Sequence, residues 1–222
     1  MNSIRKILTN GRMAVIIVIA ILLIDQAIKI WVKTNMHLHE CIPVTEWFKI
    51  CFIENQGMAF GMEIGSKLVL SIFRIFAVTI IGYYIYLQVK QSARTGYICC
   101  LALVMAGAMG NIIDCMFYGL IFNASSDFYT SYFVSFGEGY APFLMGKVVD
   151  MFYFPLIVSS WPEWVPFVGG DDFVFFSPIF NFADASISVS VILLLIFYRR
   201  ELSTLSLRKI QKNEANNENI LP

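Results

Sequence analysis

Four aspartates, Asp25, Asp114, Asp150 and Asp184, stand in apolar surroundings where an ionised carboxylate is costly. Two carboxyl groups brought close together cannot both ionise cheaply, so one keeps its proton. The ionised member can then take a proton from water while the protonated one polarises a carbonyl, as in aspartic proteases. Other chemistries have less to draw on. His37 and His39 are the only histidines, and no Cys/His spacing points to a zinc site. No Gly-x-Ser-x-Gly elbow supports serine hydrolysis. The five cysteines, Cys41, Cys51, Cys99, Cys100 and Cys115, form no Cys-x-x-Cys pair. Cys99 and Cys100 read as small apolar filler in a helix. No metal and no cofactor is expected. Each aspartate also has a plainer reading: one near a helix end can reach water, and Asp25 can pair with Lys29 at the i,i+4 spacing. Four incidental carboxylates are a weaker reading than a site.

The elements that must position them lie in a membrane. Hydrophobic residues make up 58% of the chain and charged residues 14%, with a mean hydropathy of +0.68; soluble domains have about a quarter charged. Basic and acidic residues balance at 16 each, and no nucleic-acid partner is expected. Runs at 13–30, 68–89, 97–114 and 179–198 each approach the roughly 20 apolar residues that cross a bilayer. Arg5, Lys6 and Arg12 precede the first run as in a signal peptide, but the run continues into Asp25-Gln26-Ala27-Ile28-Lys29 with no small-x-small cleavage pattern. It reads as a retained helix. Arg5, Lys6, Arg12, Lys90, Arg94, Arg199, Arg200, Arg208, Lys209 and Lys212, ten of the 16 basic residues, then fall on one side. The positive-inside rule puts both termini, including the polar tail 202–222, in the cytoplasm.

Regions 32–66 and 115–178 therefore lie outside. The alternating stretch 46–53 suggests a strand or hairpin, and the Trp- and Pro-rich segment around 161–167 suggests the membrane–water interface. Cys41 and Cys51 are both outside, where a disulfide is possible but not established by the sequence. Depth follows from helix rise. Asp25 lies about 18 Å along the first run and Asp114 about 25 Å along the third. Asp184 lies about 7 Å below the outer end of the fourth. Against a core of about 30 Å, all three occupy the outer third. Asp150, within Val148-Val149-Asp150-Met151-Phe152, is in a stretch apolar enough to dip to the same level. Depth alone does not choose between Asp114 and Asp150 as a member of the pair. Arg74, inside the second run, is a counter-ion or snorkels to headgroups.

Five short motifs, in order, resemble the bacterial lipoprotein signal peptidases (signal peptidase II, peptidase family A8). They are Asp25-Gln26-x-x-Lys29, Asn55-Gln56-Gly57-Met58-Ala59-Phe60-Gly61, Gly107-Ala108-Met109-Gly110-Asn111-Ile112-Ile113-Asp114, Gly146-Lys147-Val148-Val149-Asp150 and Phe180-Asn181-Phe182-Ala183-Asp184. The resemblance implies a membrane α-helical fold: a four-transmembrane-helix bundle, one membrane domain over 1–222. It would carry a small extracytoplasmic β-type appendage and an extracytoplasmic insertion before the last helix. It implies that Asp150 and Asp184 are the catalytic pair of an intramembrane aspartyl endopeptidase. Asp25, Lys29, Asn55, Gly57, Gly110, Asn111, Asp114, Asn181 and Ala183 are implied as supporting or substrate-binding residues. For Gly57, Gly107 and Gly110 a packing role is at least as good a reading. The implied substrates are diacylglyceryl-modified prolipoproteins, cut before the lipidated cysteine in the bacterial cytoplasmic (inner) membrane near its extracytoplasmic face. Membrane lipid and globomycin-type peptide inhibitors are the other implied partners.

The sequence departs from the family pattern at Cys115, where the family usually has Arg; Arg74 is a candidate stand-in. It also departs in the extra lengths 116–145 and 151–178, which would form a lid or lipid-binding rim. Two other classes stay in view. A proton-coupled transporter would spread its carboxylates through the bilayer or show repeats. A non-catalytic lipid-binding protein would tolerate loss of Asp150 or Asp184. The Gly-x-Gly-Asp signature of prepilin- and presenilin-type proteases is absent.

Overall fold

The structure, a computed structural model, describes residues 2–55 and 67–203. Gly57 of the second motif and tail residues 204–222 lie outside these described residues. A long apolar run has one way to satisfy its backbone in lipid, the helix, because every N–H then bonds within the segment. Helix α1 spans Asn2–Asn35, 34 residues and about 51 Å. It runs past both expected ends of 13–30; at its C-terminal end Met36 N donates to Val32 O at 3.0 Å, and Thr34 Oγ1 and Asn35 Nδ2 bond back to Ile30 O and Trp31 O at 2.8 and 2.9 Å. Lys33 is therefore helical too.

Helix α2 covers Lys67–Lys90, and α3 covers Thr95–Ile113. A π-type turn, Asp114–Tyr118, carries α3 into the short α4, Gly119–Ile121. The α-helix ends beside the expected Asp114, and the π-type turn and α4 extend the helical run to 27 residues, Thr95–Ile121. Helix α5 is Phe182–Phe197. Its expected start at 179 is corrected, because Ile179–Phe180 pairs in a sheet and Asn181 caps the helix. Among the described residues three helices, Lys6–Asn35, Lys67–Lys90 and Thr95–Ile121, are long and apolar enough to cross a membrane; α5 is apolar but 16 residues long.

Small residues bring the helices together. A Cβ at Gly107 would run into the Ala183 backbone, and one at Gly110 would meet Asp25 Oδ2 at 2.6 Å. Close packing is thus the observed use of both glycines. Hydroxyls reinforce it: Ser186 Oγ donates to Leu103 O at 3.0 Å, and Ser190 Oγ donates to Cys100 O. One apolar core (Val18, Tyr97, Ala102, Leu194 among others) fills the bundle. Val15, Ile19, Val69, Phe73, Ile192 and Ile196 are more than half exposed, an apolar exterior suited to lipid.

Strands β1 (Cys41–Thr45), β2 (Phe48–Asn55), β3 (Val148–Tyr153) and β6 (Ile179–Phe180) form an antiparallel sheet in the order β1-β2-β3-β6. The expected hairpin over 46–53 is present, with Glu46 and Trp47 as its turn. Cys41 and Cys51 face each other across β1 and β2 and are disulfide-bonded. A separate ribbon, β4 (Ile157–Ser160) with β5 (Asp172–Phe175), occupies the segment before β6. A second core, Val32, Met36, Phe52, Tyr118, Phe122, Val149 and Met151, joins the sheet to the ends of α1 and α3.

Candidate active site

Asp150 comes from the middle of β3, opposite Ile53 of β2, and is 3% exposed. Asp184 comes from the first turn of α5 and is half-buried. Two asparagines tie the carboxyl groups together. Asn181, the α5 N-cap, donates from Nδ2 to Asp150 Oδ1 at 2.6 Å, while its Oδ1 accepts from Asp184 N at 2.9 Å. Asp184 Oδ2 accepts from Asn181 N in return at 3.4 Å, closing a capping box. Asn111 Nδ2 donates to Asp184 Oδ1 at 2.7 Å, and its Oδ1 accepts from Asn181 Nδ2 at 3.1 Å. Asn55 Nδ2 completes the set, donating to Asp150 Oδ2 at 3.2 Å. Burial, then the neighbouring charge of Asp184, pushes the Asp150 carboxyl up to about 7, against the pull of the Asn181 and Asn55 hydrogen bonds.

Beneath this lies a fully buried charge cluster. Lys29 Nζ is 3.0 Å from Asp25 Oδ2, 2.8 Å from Asp114 Oδ2 and 2.8 Å from Asn111 Oδ1. The i,i+4 pairing of Asp25 with Lys29 is therefore real, but it is one edge of a larger network. Each of its two aspartates also holds backbone. Asp25 Oδ1 accepts from Ala183 N at 3.0 Å, and Asp114 Oδ2 accepts from Val149 N at 3.3 Å. Ala183 and Val149 immediately precede Asp184 and Asp150. The two inner aspartates thus fix the chain next to the two outer ones.

The structure brings Asp25, Lys29, Asn55, Gly110, Asn111, Asp114, Asp150, Asn181, Ala183 and Asp184 into one connected site. Arg74 Nη1 lies 3.6 Å from the buried Cys115 Sγ. His37 and His39 lie in the exposed loop before β1, beside Glu40 and Asp127. Among the described residues no group of three metal-ligating side chains is gathered.

Two features escaped sequence reasoning. Gln26 donates to Asp25 Oδ2, Gly110 O and Asp114 Oδ1 at 3.1, 3.2 and 2.9 Å, and accepts from Tyr118 OH at 3.1 Å. A second ion cluster joins Lys33, Glu54 and Lys147: Glu54 Oε1 takes Lys33 Nζ at 2.5 Å and Ser125 Oγ at 2.7 Å, and Oε2 takes Lys147 Nζ at 2.9 Å. Lys33 Nζ also sits 5.2–5.7 Å from the ring centroids of Phe52, Phe122 and Tyr140. The signal for Lys33 was its spacing, one further i+4 step beyond Asp25 and Lys29 on the same helix face.

Comparison with known proteins gives the same direction. The family model described as signal peptidase (SPase) II matches residues 17–199. The lipoprotein signal peptidase of Porphyromonas gingivalis is 49% identical over 209 residues, 92% of this chain and 91% of that protein. That of Amoebophilus asiaticus is 34% identical over 200 residues, covering 86% and 78%. A solved bacterial membrane enzyme shares the fold with a TM-score of 0.56 at 22% identity, covering 86% of this chain and 90% of its own. A chain with these five motifs and this extent of match belongs to the signal peptidase II family, the aspartic-type lipoprotein signal peptidases of peptidase family A8.

Proposed function

We propose that this chain is an intramembrane endopeptidase that cuts diacylglyceryl-modified prolipoproteins before the lipidated cysteine, with Asp150 and Asp184 as its catalytic pair. The observation that carries the choice of pair is the shared asparagine bridge. Asn181 bonds both residues, whereas Asp25 and Asp114 share the ammonium of Lys29 and are spent on backbone N–H groups. Asp184, the more exposed member, takes a proton from water as the resulting hydroxide adds to the scissile carbonyl. Asp150 gives its proton to the carbonyl oxygen. In the tetrahedral diol the C–N bond then breaks: the proton taken by Asp184 passes to the departing amine, and Asp150 takes back a hydroxyl proton as the acid product forms, which restores the pair. Asn55, Asn111 and Asn181 hold both carboxyl groups in place throughout, and Gly57 follows Asn55 by two residues in the sequence.

In this reading α1, α2 and α3–α4 cross the inner membrane, and α5 makes a shorter fourth crossing in a single domain of four spans. Both termini face the cytoplasm, and the sheet and ribbon lie at the extracytoplasmic surface. The substrate's lipid anchor holds the scissile bond at headgroup depth, where the pair waits. Globomycin-type peptides compete for the same place. Purified protein with diacylglyceryl-modified prolipoprotein tests it. Asp150→Asn and Asp184→Asn should each lower kcat by at least about 10³-fold with the protein still folded and inserted. Near-normal turnover in either variant rejects the pair, and efficient cutting of unmodified precursor rejects the lipid requirement.

A further inference from the structure

Between the β4–β5 ribbon and α5 lies an apolar cleft of about 470 Å3 that ends at Asp184. Phe154, Phe175, Phe176 and Phe180 line one wall, and Asp184, Ala185, Ser188 and Val189 of α5 line the other. The aromatic wall is already packed: Phe154 and Phe176 lie 5.7 and 6.1 Å from Phe180, ring centre to ring centre. Of the ten residues around the cleft, only Asp184 and Ser188 have polar side chains. At its far end Val189 continues into Ile192 and Ile196, an exposed apolar face with i, i+3, i+7 spacing. The cleft therefore runs from Asp184 to the exposed apolar face of α5.

We infer that this cleft seats one acyl chain of the lipid-anchored substrate, with the chain's glyceryl end at Asp184; this rests on the lipoprotein peptidase reading above. An extended peptide would bring an N–H and a C=O per residue into a groove with almost nothing to bond them, each at a cost. The bordering backbone offers little help. Phe176 N already donates to Phe154 O at 3.2 Å, β5 is paired with β4, and Pro178 has no N–H. A helical signal-peptide segment satisfies its own backbone, but a helix with side chains is roughly 10–12 Å across and rises about 5.4 Å per turn. The cleft holds about one such turn. A hydrocarbon chain is thin, has no polar groups to satisfy, and can enter sideways from the bilayer. The segment between Asp150 and Asp184 thereby acquires a use, as the wall of a lipid slot.

The test uses purified full-length protein in detergent micelles. One signal peptide carries S-diacylglyceryl cysteine with chains of about six or about sixteen carbons, and the kcat/KM ratio of long to short is compared between enzymes in the same micelles. Wild type should prefer the long chain by about tenfold or more. Val189→Trp, which fills the far end, should collapse that ratio to within about twofold, mainly by raising KM for the long chain. Leu156→Ala, which widens the wall, should lower it. Trp164→Ala, on the nearby loop and 81% exposed, should keep the wild-type ratio. A wild-type ratio near one, or equal losses on both chains in Val189→Trp, overturns the acyl slot. So does a variant defect that follows changes in signal-peptide sequence rather than chain length. Failure to cut any lipidated substrate instead overturns the peptidase reading itself.

Discussion

Asp150 is nearly enclosed, beside another carboxyl group, and bonded by two asparagine amides. Its proton should be lost near pH 7 rather than at the ordinary 3.8. The proposed mechanism needs that proton, so kcat should fall with a midpoint near pH 7 on the alkaline side; a kcat flat from about pH 6 to 9 would contradict it. Stability carries the same signature. A folded-state value above the ordinary one means the native state binds this proton more tightly. That contribution is complete below about pH 4 and is lost as pH rises through about 7. Thermal melting from pH 4 to 8 should show a steeper decline for wild type than for Asp150→Asn. The aspartates themselves were legible in the sequence from their type and depth. Their division of labour was not, because it depends on which neighbour each one meets, and folding places Lys29 between Asp25 and Asp114.

The elements show how a short, partly exposed sheet is held in register. Glu54 precedes Asn55 on β2, and Lys147 precedes β3 by one residue; opposite them, α1 supplies Lys33. Glu54 is drawn below the usual carboxylate range, burial being outweighed by the Lys33 charge and by bonds from Lys33, Ser125 and Lys147. The resulting clamp pins both strands that carry site residues to the end of a membrane helix. Glu54→Gln leaves Lys33 buried without its counter-charge and should cost about 3–5 kcal/mol in unfolding free energy. Pairing Glu54→Leu with Lys33→Met should recover most of that loss, since two apolar groups replace two charges. No recovery would mean that the aromatic cage around Lys33, rather than the ion pair, holds the strands. The hairpin was readable because alternation and aromatics announce a strand. The start of α5 was not: Ile179 and Phe180 are apolar enough for a helix, and only pairing with Tyr153 and Phe152 makes them strand.

For the molecule as a whole, the distribution of positive charge and the lipid-like exterior of α1, α2 and α5 argue for one orientation. Trp47→Cys, at the exposed hairpin turn, should react with a membrane-impermeant thiol reagent in intact cells. Ser203→Cys, beyond α5, should react only after permeabilisation. The reverse pattern would invert the topology and place the carboxylate pair on the wrong side for a secreted substrate.

Composition, run length and motif order were enough to establish a helical membrane protein and the family it resembles, and to single out four aspartates, because each is local or additive along the chain. Tertiary structure alone decided that Asp25 and Asp114 grip the backbone beside Asp184 and Asp150, that one asparagine bridges the pair, and that the extra ribbon forms a slot ending at Asp184. Those relations join residues as much as 158 positions apart. A sequence lists such residues separately, and only the packed chain, by excluding water and forcing each polar group to find a partner, determines which ones meet.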